Sequence, residues 1–234
     1  MIDSVAALHR NLERIRRRVS AAADAAGRDA GGVTVVAVAK GMPGRLVRWA
    51  VEEGVTDIGE NYVNELASKR AEVEAATTTG VRWHFVGALQ SSTAHRVADL
   101  ADVVHSIGSM HAAGRLARRA RLGGRRLPVL IQVDFAGGRN GVPPGDVEAA
   151  AEHLRGMDGL DLRGLMTLPP MAENPEESRP YFRRLKELRD RAEPNAGELP
   201  ELSMGMSADY EVAVEEGATM VRIGTALFGS RPTE

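Results

Sequence analysis

Eight short apolar runs, each followed by a turn and all but the last by a helical pattern, leave this chain few folds to choose from. The first run is Val33-Thr34-Val35-Val36-Ala37-Val38-Ala39-Lys40-Gly41, dominated by the small and β-branched residues of strands buried on both faces. Further runs cover residues 55–59, 82–87, 102–107, 127–133, 160–167, 201–203 and 218–223, the last trailing into Ala226-Leu227-Phe228-Gly229. Between them, helical patterns cover 44–53, 61–76, 91–100, 109–121, 145–156, 176–192 and 208–216. Strands that alternate with helices pair in parallel, because each crossover returns the chain to the same end of the sheet. Eight such units predict an α/β fold, the (β/α)8 TIM barrel. The rival is a doubly wound open sheet, which favours fewer strands and a glycine-rich first turn. No Gly-x-Gly-x-x-Gly follows the first strand, and no Walker pattern occurs.

A further helix is predicted over 3–26, where Val5, Leu8, Leu12, Ile15 and Val19 share one face. Asp3 or Ser4 can cap its start and Gly27 can stop it. No linker, low-complexity tract or additional repeat interrupts the chain. Its 234 residues therefore read as a single domain, with the helix at 3–26 and the barrel at 33–231.

Charge and composition narrow the function. A formal net charge of −2 gives no electrostatic case for nucleic acid or an anionic membrane. Basic runs such as Arg14-Ile15-Arg16-Arg17-Arg18 lie within helical patterns and read as solvated faces. The absence of cysteine excludes disulfides, thiol catalysis and cysteine-ligated metals. No stretch approaches the ~20 apolar residues that span a bilayer, and no leader pattern opens the chain, so a cytoplasmic protein is expected.

Only three of the 30 basic residues are lysines: Lys40, Lys69 and Lys186. Where arginine is the habitual cation, a lysine ending a buried strand calls for a reason. It either snorkels to solvent or, made neutral by burial, serves as a nucleophile or imine former. In a barrel the functional face is the C-terminal end of the strands. Those ends supply Lys40, Asn61, His84, Asp134, Met166, Ser203, Met206, Ser207, Arg222, Gly224 and Thr225. Barrels commonly bind phosphate with the loops after strands seven and eight. Here those loops carry Ser203-Met204-Gly205-Met206-Ser207-Ala208-Asp209 and Ile223-Gly224-Thr225-Ala226, rich in hydroxyls and in backbone that can approach an oxyanion. Helix capping and turn chemistry use the same residue types. A lysine at one end and a phosphate cradle at the other suggest a phosphorylated carbonyl compound. Pyridoxal 5′-phosphate held as a cofactor and a sugar phosphate in an aldolase both fit.

Six ordered motifs carry a resemblance. They are Ala39-Lys40-x-x-Pro43, Ile58-Gly59-Glu60-Asn61-Tyr62, Trp83-His84-Phe85-Val86-Gly87-x-Leu89-Gln90-Ser91, Arg163-Gly164-Leu165-Met166, Leu202-Ser203-Met204-Gly205-Met206-Ser207-x-Asp209 and Met220-Val221-Arg222-Ile223-Gly224-Thr225-Ala226-Leu227-Phe228-Gly229. The chain resembles the pyridoxal phosphate homeostasis protein family from residue 33 to 231, and its N-terminal helix also fits. That family is similar in fold to the N-terminal barrel of alanine racemase.

The resemblance implies pyridoxal 5′-phosphate as cofactor, with Lys40 as the Schiff-base residue. Ser207, Gly224 and Thr225 would hold the phosphate, with Ser203 nearby. Arg222 would face the pyridine nitrogen, while Asn61, His84 and Met206 line the ring and Met166 lies alongside. It further implies a monomeric carrier or buffer, with apo pyridoxal phosphate enzymes as partners and little or no catalysis. An arginine at the ring nitrogen makes a poor electron sink, and no second domain is expected to supply the tyrosine base of a racemase. A weak amino-acid racemase on the same fold is the alternative. Departures from the family pattern are Gly41 where Thr or Ser is usual, Ser92-Thr93 for an Asn-Lys pair, and Arg139 where a lysine is frequent. They bear on secondary lysines, not on the principal site.

Three other features remain open in the sequence. His84 could equally be a buried histidine bonded to a backbone group, and His105 is similarly ambiguous. Glu60 and Asp209 could cap helices or orient site groups. No close ligand spacing joins His84, His105 and Asp134, so no metal site is expected.

Overall fold

All eight apolar runs form strands, and in the computed structural model they close into one parallel barrel in chain order. Residues 1–138 and 140–230 are described; Arg139 and the expected end of the barrel at 231 lie outside the described residues. The strands are β1 Thr34–Val38, β2 Asp57–Glu60, β3 Arg82–Phe85, β4 Val103–Ile107, β5 Leu127–Val133, β6 Leu160–Thr167, β7 Glu201–Met206 and β8 Met220–Ile223. Each pairs with its successor, and β8 closes on β1 through four partners from Thr34↔Met220 to Ala37↔Ile223. The ring outside is α2 Gly44–Glu52, α3 Val63–Ala76, α4 Ala94–Leu100, α5 Met110–Leu122, α6 Val147–Arg155, α7 Arg179–Ala196 and α8 Tyr210–Glu215. A short α9, Thr225–Phe228, follows β8 where the sequence suggested only a trailing segment.

The N-terminal helix α1, Val5–Ala25, is capped by Ser4, whose side chain accepts the Ala7 N–H. Its apolar face buries Leu8, Leu12, Ile15 and Val19, worth roughly 1.5–3 kcal/mol each on full burial. It is tied to α9 by Asn11, which donates to the Leu227 carbonyl at 2.9 Å, and to α8 by Arg18–Glu211 at 2.6 Å.

Two strand ends differ from expectation. β1 stops at Val38, so Lys40 sits in the following turn, where Gly41 takes φ +69 and Met42 N–H closes back on the Ala39 carbonyl. β7 runs three residues beyond 201–203, to Met206, because a bulge sets three of its residues against two of β8 (Ser203↔Met220, Met206↔Arg222). Side chains on a strand alternate in facing, so the extra residue lets Ser203 and Met206 both face the barrel axis. Gly205 absorbs the bulge at φ +87, and a Cβ there would come within 2.5 Å of the Ala213 methyl. Only glycine fits both demands.

TIM-barrel interiors are dominated by Val, Ile and Leu. Here the strands also bury Asp57, His84, His105, Gln132, Thr167, Ser203 and Arg222. That polar axis leads to the functional mouth. Among the described residues, no helix is long and apolar enough to cross a membrane.

Candidate cofactor site

A cavity of about 320 Å³ opens where the C-terminal ends of β1, β2, β3, β6, β7 and β8 meet. Lys40, Asn61, Met206, Ser207, Arg222, Gly224 and Thr225 all line it. Seven of the ten residues expected from the sequence are thus brought together. Apolar walls come from Val38, Val86, Leu168 and Ala208, which carry no chemical signature that sequence reading could single out.

His84, Met166 and Ser203 do not line the cavity. All three are completely buried, and His84 and Ser203 are spent on partners inside the barrel. His84, expected beside the ring, thus lies below the cavity. β3 ends at Phe85, and its inward side chain at position 84 falls at the same level as Gly59 and Val103, below the mouth.

The loop after β7 is shaped by Asp209. Its carboxylate accepts the Met206 N–H at 2.7 Å and the Ser178 hydroxyl at 2.9 Å. This holds Ser207 where its Oγ accepts the Ala226 N–H at 3.1 Å, joining the two phosphate-type loops. Asp209 is thus an organiser of the loop after β7.

Beneath the cavity runs a hydrogen-bonded chain that crosses the barrel. Arg222 Nη1 donates to Ser203 Oγ at 2.6 Å, and Nη2 to the Thr167 carbonyl at 2.7 Å. Ser203 Oγ lies 2.8 Å from His105 Nδ1, His105 Nε2 lies 2.8 Å from His84 Nδ1, and His84 Nε2 lies 2.8 Å from Asp57 Oδ1. A carboxylate only accepts, so His84 Nε2–H must donate to Asp57, and with both imidazoles neutral the remaining bonds run one way. The Ser203 hydroxyl donates to His105, His105 Nε2–H to His84, and His84 Nε2–H to Asp57. Burial favours the neutral form of both imidazoles by lowering their pKa values, with the Asp57 carboxylate only partly opposing it at His84. Burial alone would raise Asp57, but hydrogen bonds from His84 and Arg82 outweigh it and hold the carboxyl at about 2. Burial lowers Arg222 to about 10, which leaves it charged at neutral pH.

A second buried cluster sits behind Lys40. Lys69 Nζ donates to the Ala39 carbonyl at 2.6 Å, to Glu60 Oε1 at 2.7 Å and to Glu65 Oε2 at 2.7 Å. Burial raises the Glu60 carboxyl to about 7 despite the ammonium beside it. Its second oxygen is buried without a partner among the described residues. A raised folded-state pKa stabilises the fold below the unfolded value of 4.5, and that stabilisation is lost as the pH rises through 7. Glu60→Gln, which cannot titrate, should therefore flatten the profile. Denaturant unfolding at several pH values should show wild-type stability falling relative to the variant between pH 5 and 8, by up to roughly 3 kcal/mol. A difference that is constant across that range would contradict the assignment.

Among the described residues, no group of three or more His, Asp or Glu side chains could hold a metal. Asp134 is occupied by an Asx turn, accepting the Ala136 and Gly137 N–H groups.

The class is that of the alanine racemase N-terminal domain, whose family model the sequence matches over residues 4–232. Within that class, the chain belongs to the pyridoxal phosphate homeostasis proteins. It is 40% identical over 223 residues to the pyridoxal phosphate homeostasis protein of Pseudomonas aeruginosa, covering 94% of each chain. It is 39% identical over 224 residues to that of Aquifex aeolicus, covering 94% of this chain and 96% of the relative. PipY of Synechococcus elongatus, whose structure was solved with pyridoxal phosphate bound, superposes with a TM-score of 0.84 at 32% identity, covering 95% of this chain and all of PipY.

Proposed function

We propose that this chain holds pyridoxal 5′-phosphate in the mouth cavity and keeps it available to the cell, binding it at Lys40 without substantial turnover. The observation that carries this reading is one cavity lined jointly by Lys40, Arg222, Ser207 and Thr225. When bound, the cofactor supplies an aldehyde that condenses with a lysine amine, releasing one water. The volume of about 320 Å³ lies at the small end of ligand pockets, which suits a single substituted ring and its phosphate.

Each wall has a role in this reading. The Ser207 and Thr225 hydroxyls and the backbone around Gly224 face the phosphate. Asn61 and Met206 border the ring. Arg222 faces the ring nitrogen, and because a guanidinium can only donate, that nitrogen must accept and stays unprotonated. Ser203 reinforces this. Its own proton points to His105, so it offers Arg222 only a lone pair and holds the guanidinium in place. An unprotonated ring draws little electron density from a neighbouring carbanion, which favours storage over racemisation. In this reading the protein acts as a monomer. We place the protein in the cytoplasm, where apo pyridoxal phosphate enzymes would be the recipients.

The test is spectroscopic. Purified protein mixed with pyridoxal 5′-phosphate should develop a visible absorbance band, and borohydride should then fix the cofactor to Lys40 in a digest read by mass spectrometry. No band and no fixed cofactor would end the proposal. Rapid α-hydrogen exchange of amino acids in heavy water, near the ~10 s⁻¹ median of enzymes, would favour the racemase instead.

A further inference from the structure

The peptide groups on either side of Lys40 are both held from outside the barrel wall. The Ala39 carbonyl accepts from Lys69 Nζ at 2.6 Å, and the Gly41 N–H donates to Glu65 Oε2 at 2.7 Å. Lys69 and Glu65 are themselves paired at 2.7 Å, one turn apart on α3. Lys69 is 6% exposed, and its three ammonium hydrogens meet three acceptors: Ala39 O, Glu60 Oε1 and Glu65 Oε2. An ammonium has three donors, so the match is complete. Glu60 is fully buried at the end of β2, immediately before the cavity residue Asn61. The cluster therefore joins β2 and α3 to the turn that carries Lys40. That turn lies beyond the end of β1, with Gly41 at φ +69, Met42 N–H closing on the Ala39 carbonyl and Ala39 N–H donating to the Gly59 carbonyl of β2.

We propose that Lys69, with Glu65, is a positioning residue for Lys40: the pair clamps the two peptides flanking it and so sets the direction in which its amine enters the cavity. The groups that Lys69 and Glu65 hold lie on β2 and in the turn after β1, whereas the phosphate loops and Arg222 lie on β7, β8 and the segments after them. Its effect should thus fall on capture of an aldehyde by the Lys40 amine and not on recognition of the phosphate. Side-chain direction matters steeply for such a step, because small misplacements of reacting groups are costly.

This inference rests on the reading of Lys40 as the amine that captures pyridoxal 5′-phosphate, and the test separates the two. Equilibrium binding of pyridoxal 5′-phosphate and of pyridoxine 5′-phosphate, which has the same phosphate and ring but no aldehyde, is measured on wild type, Lys69→Met and Glu65→Ala. Glu65 is partly exposed, so Glu65→Ala should fold even if the methionine variant does not. Both variants should bind the aldehyde at least about tenfold more weakly, with the alcohol unchanged within about twofold. The rate of borohydride fixation at Lys40 should fall in parallel. Unchanged aldehyde affinity in Glu65→Ala, or an equal loss for both ligands, would overturn the positioning role. A wild type that binds both ligands alike would instead overturn the underlying reading of Lys40.

Discussion

Lys40→Ala should abolish borohydride-fixed pyridoxal phosphate altogether and weaken its equilibrium binding by on the order of 100-fold, about 2.7 kcal/mol. Binding of pyridoxine 5′-phosphate should change little, since the phosphate loops and Arg222 remain. The loss is expected to be complete because the chain contains only two other lysines. Lys69 is saturated by three acceptors behind the barrel wall, and Lys186 lies exposed on α7. Neither lines the cavity, so neither can substitute. Titration calorimetry with both ligands, and a tryptic digest after reduction, measure the two halves of the prediction. Residual fixation at a different lysine would mean that the cavity has been assigned to the wrong amine.

The fold was readable because a parallel barrel writes itself locally. Each strand is a short apolar run and each helix a 3.6-residue pattern, so eight units could be counted without knowing any contact. The cavity was readable for a related reason, since a barrel displays its function at the C-terminal strand ends. Lys40, Asn61, Met206, Ser207, Arg222, Gly224 and Thr225 all stand at or just beyond such ends. The chain beneath them was not readable. Its bonds join residues 98 apart (His105 and Ser203), 27 apart (Asp57 and His84) and 21 apart (His84 and His105), and no spacing rule links them. His84 was therefore drawn to the cavity, when the register of β3 sets it one layer lower. The β7 bulge was hidden too: Met204-Gly205-Met206 reads as a turn, while the backbone continues the strand through a left-handed glycine. One signal for Lys69 did exist. In a chain that uses arginine as its ordinary cation, each lysine needs a reason, and at position 69 the reason is three acceptors arranged for an ammonium.

The buried chain also determines the largest loss of stability expected from a single substitution outside the cavity. His84→Ala removes the link between Asp57 and His105, both of which stay buried. Asp57 loses a principal hydrogen bond that keeps its carboxyl near 2, and His105 Nε2–H loses its acceptor. Breaking one member of a buried charged network typically costs about 3–5 kcal/mol, since the remaining partners pay desolvation without compensation. For a chain of this size that corresponds to a fall in Tm of roughly 10 °C. His95→Ala, on the exposed face of α4, should stay within about 0.5 kcal/mol of wild type and serves as the control. The asymmetry matters as much as the size. Both imidazoles are neutral and the donors all point from Arg222 toward Asp57, so cutting the chain at His84 also frees the Ser203 end to reorient. Pyridoxine 5′-phosphate binding should therefore weaken in folded His84→Ala although His84 never touches the cavity. A variant that loses stability but binds that ligand as wild type does would show that the chain supports the barrel alone and leaves Arg222 unguided.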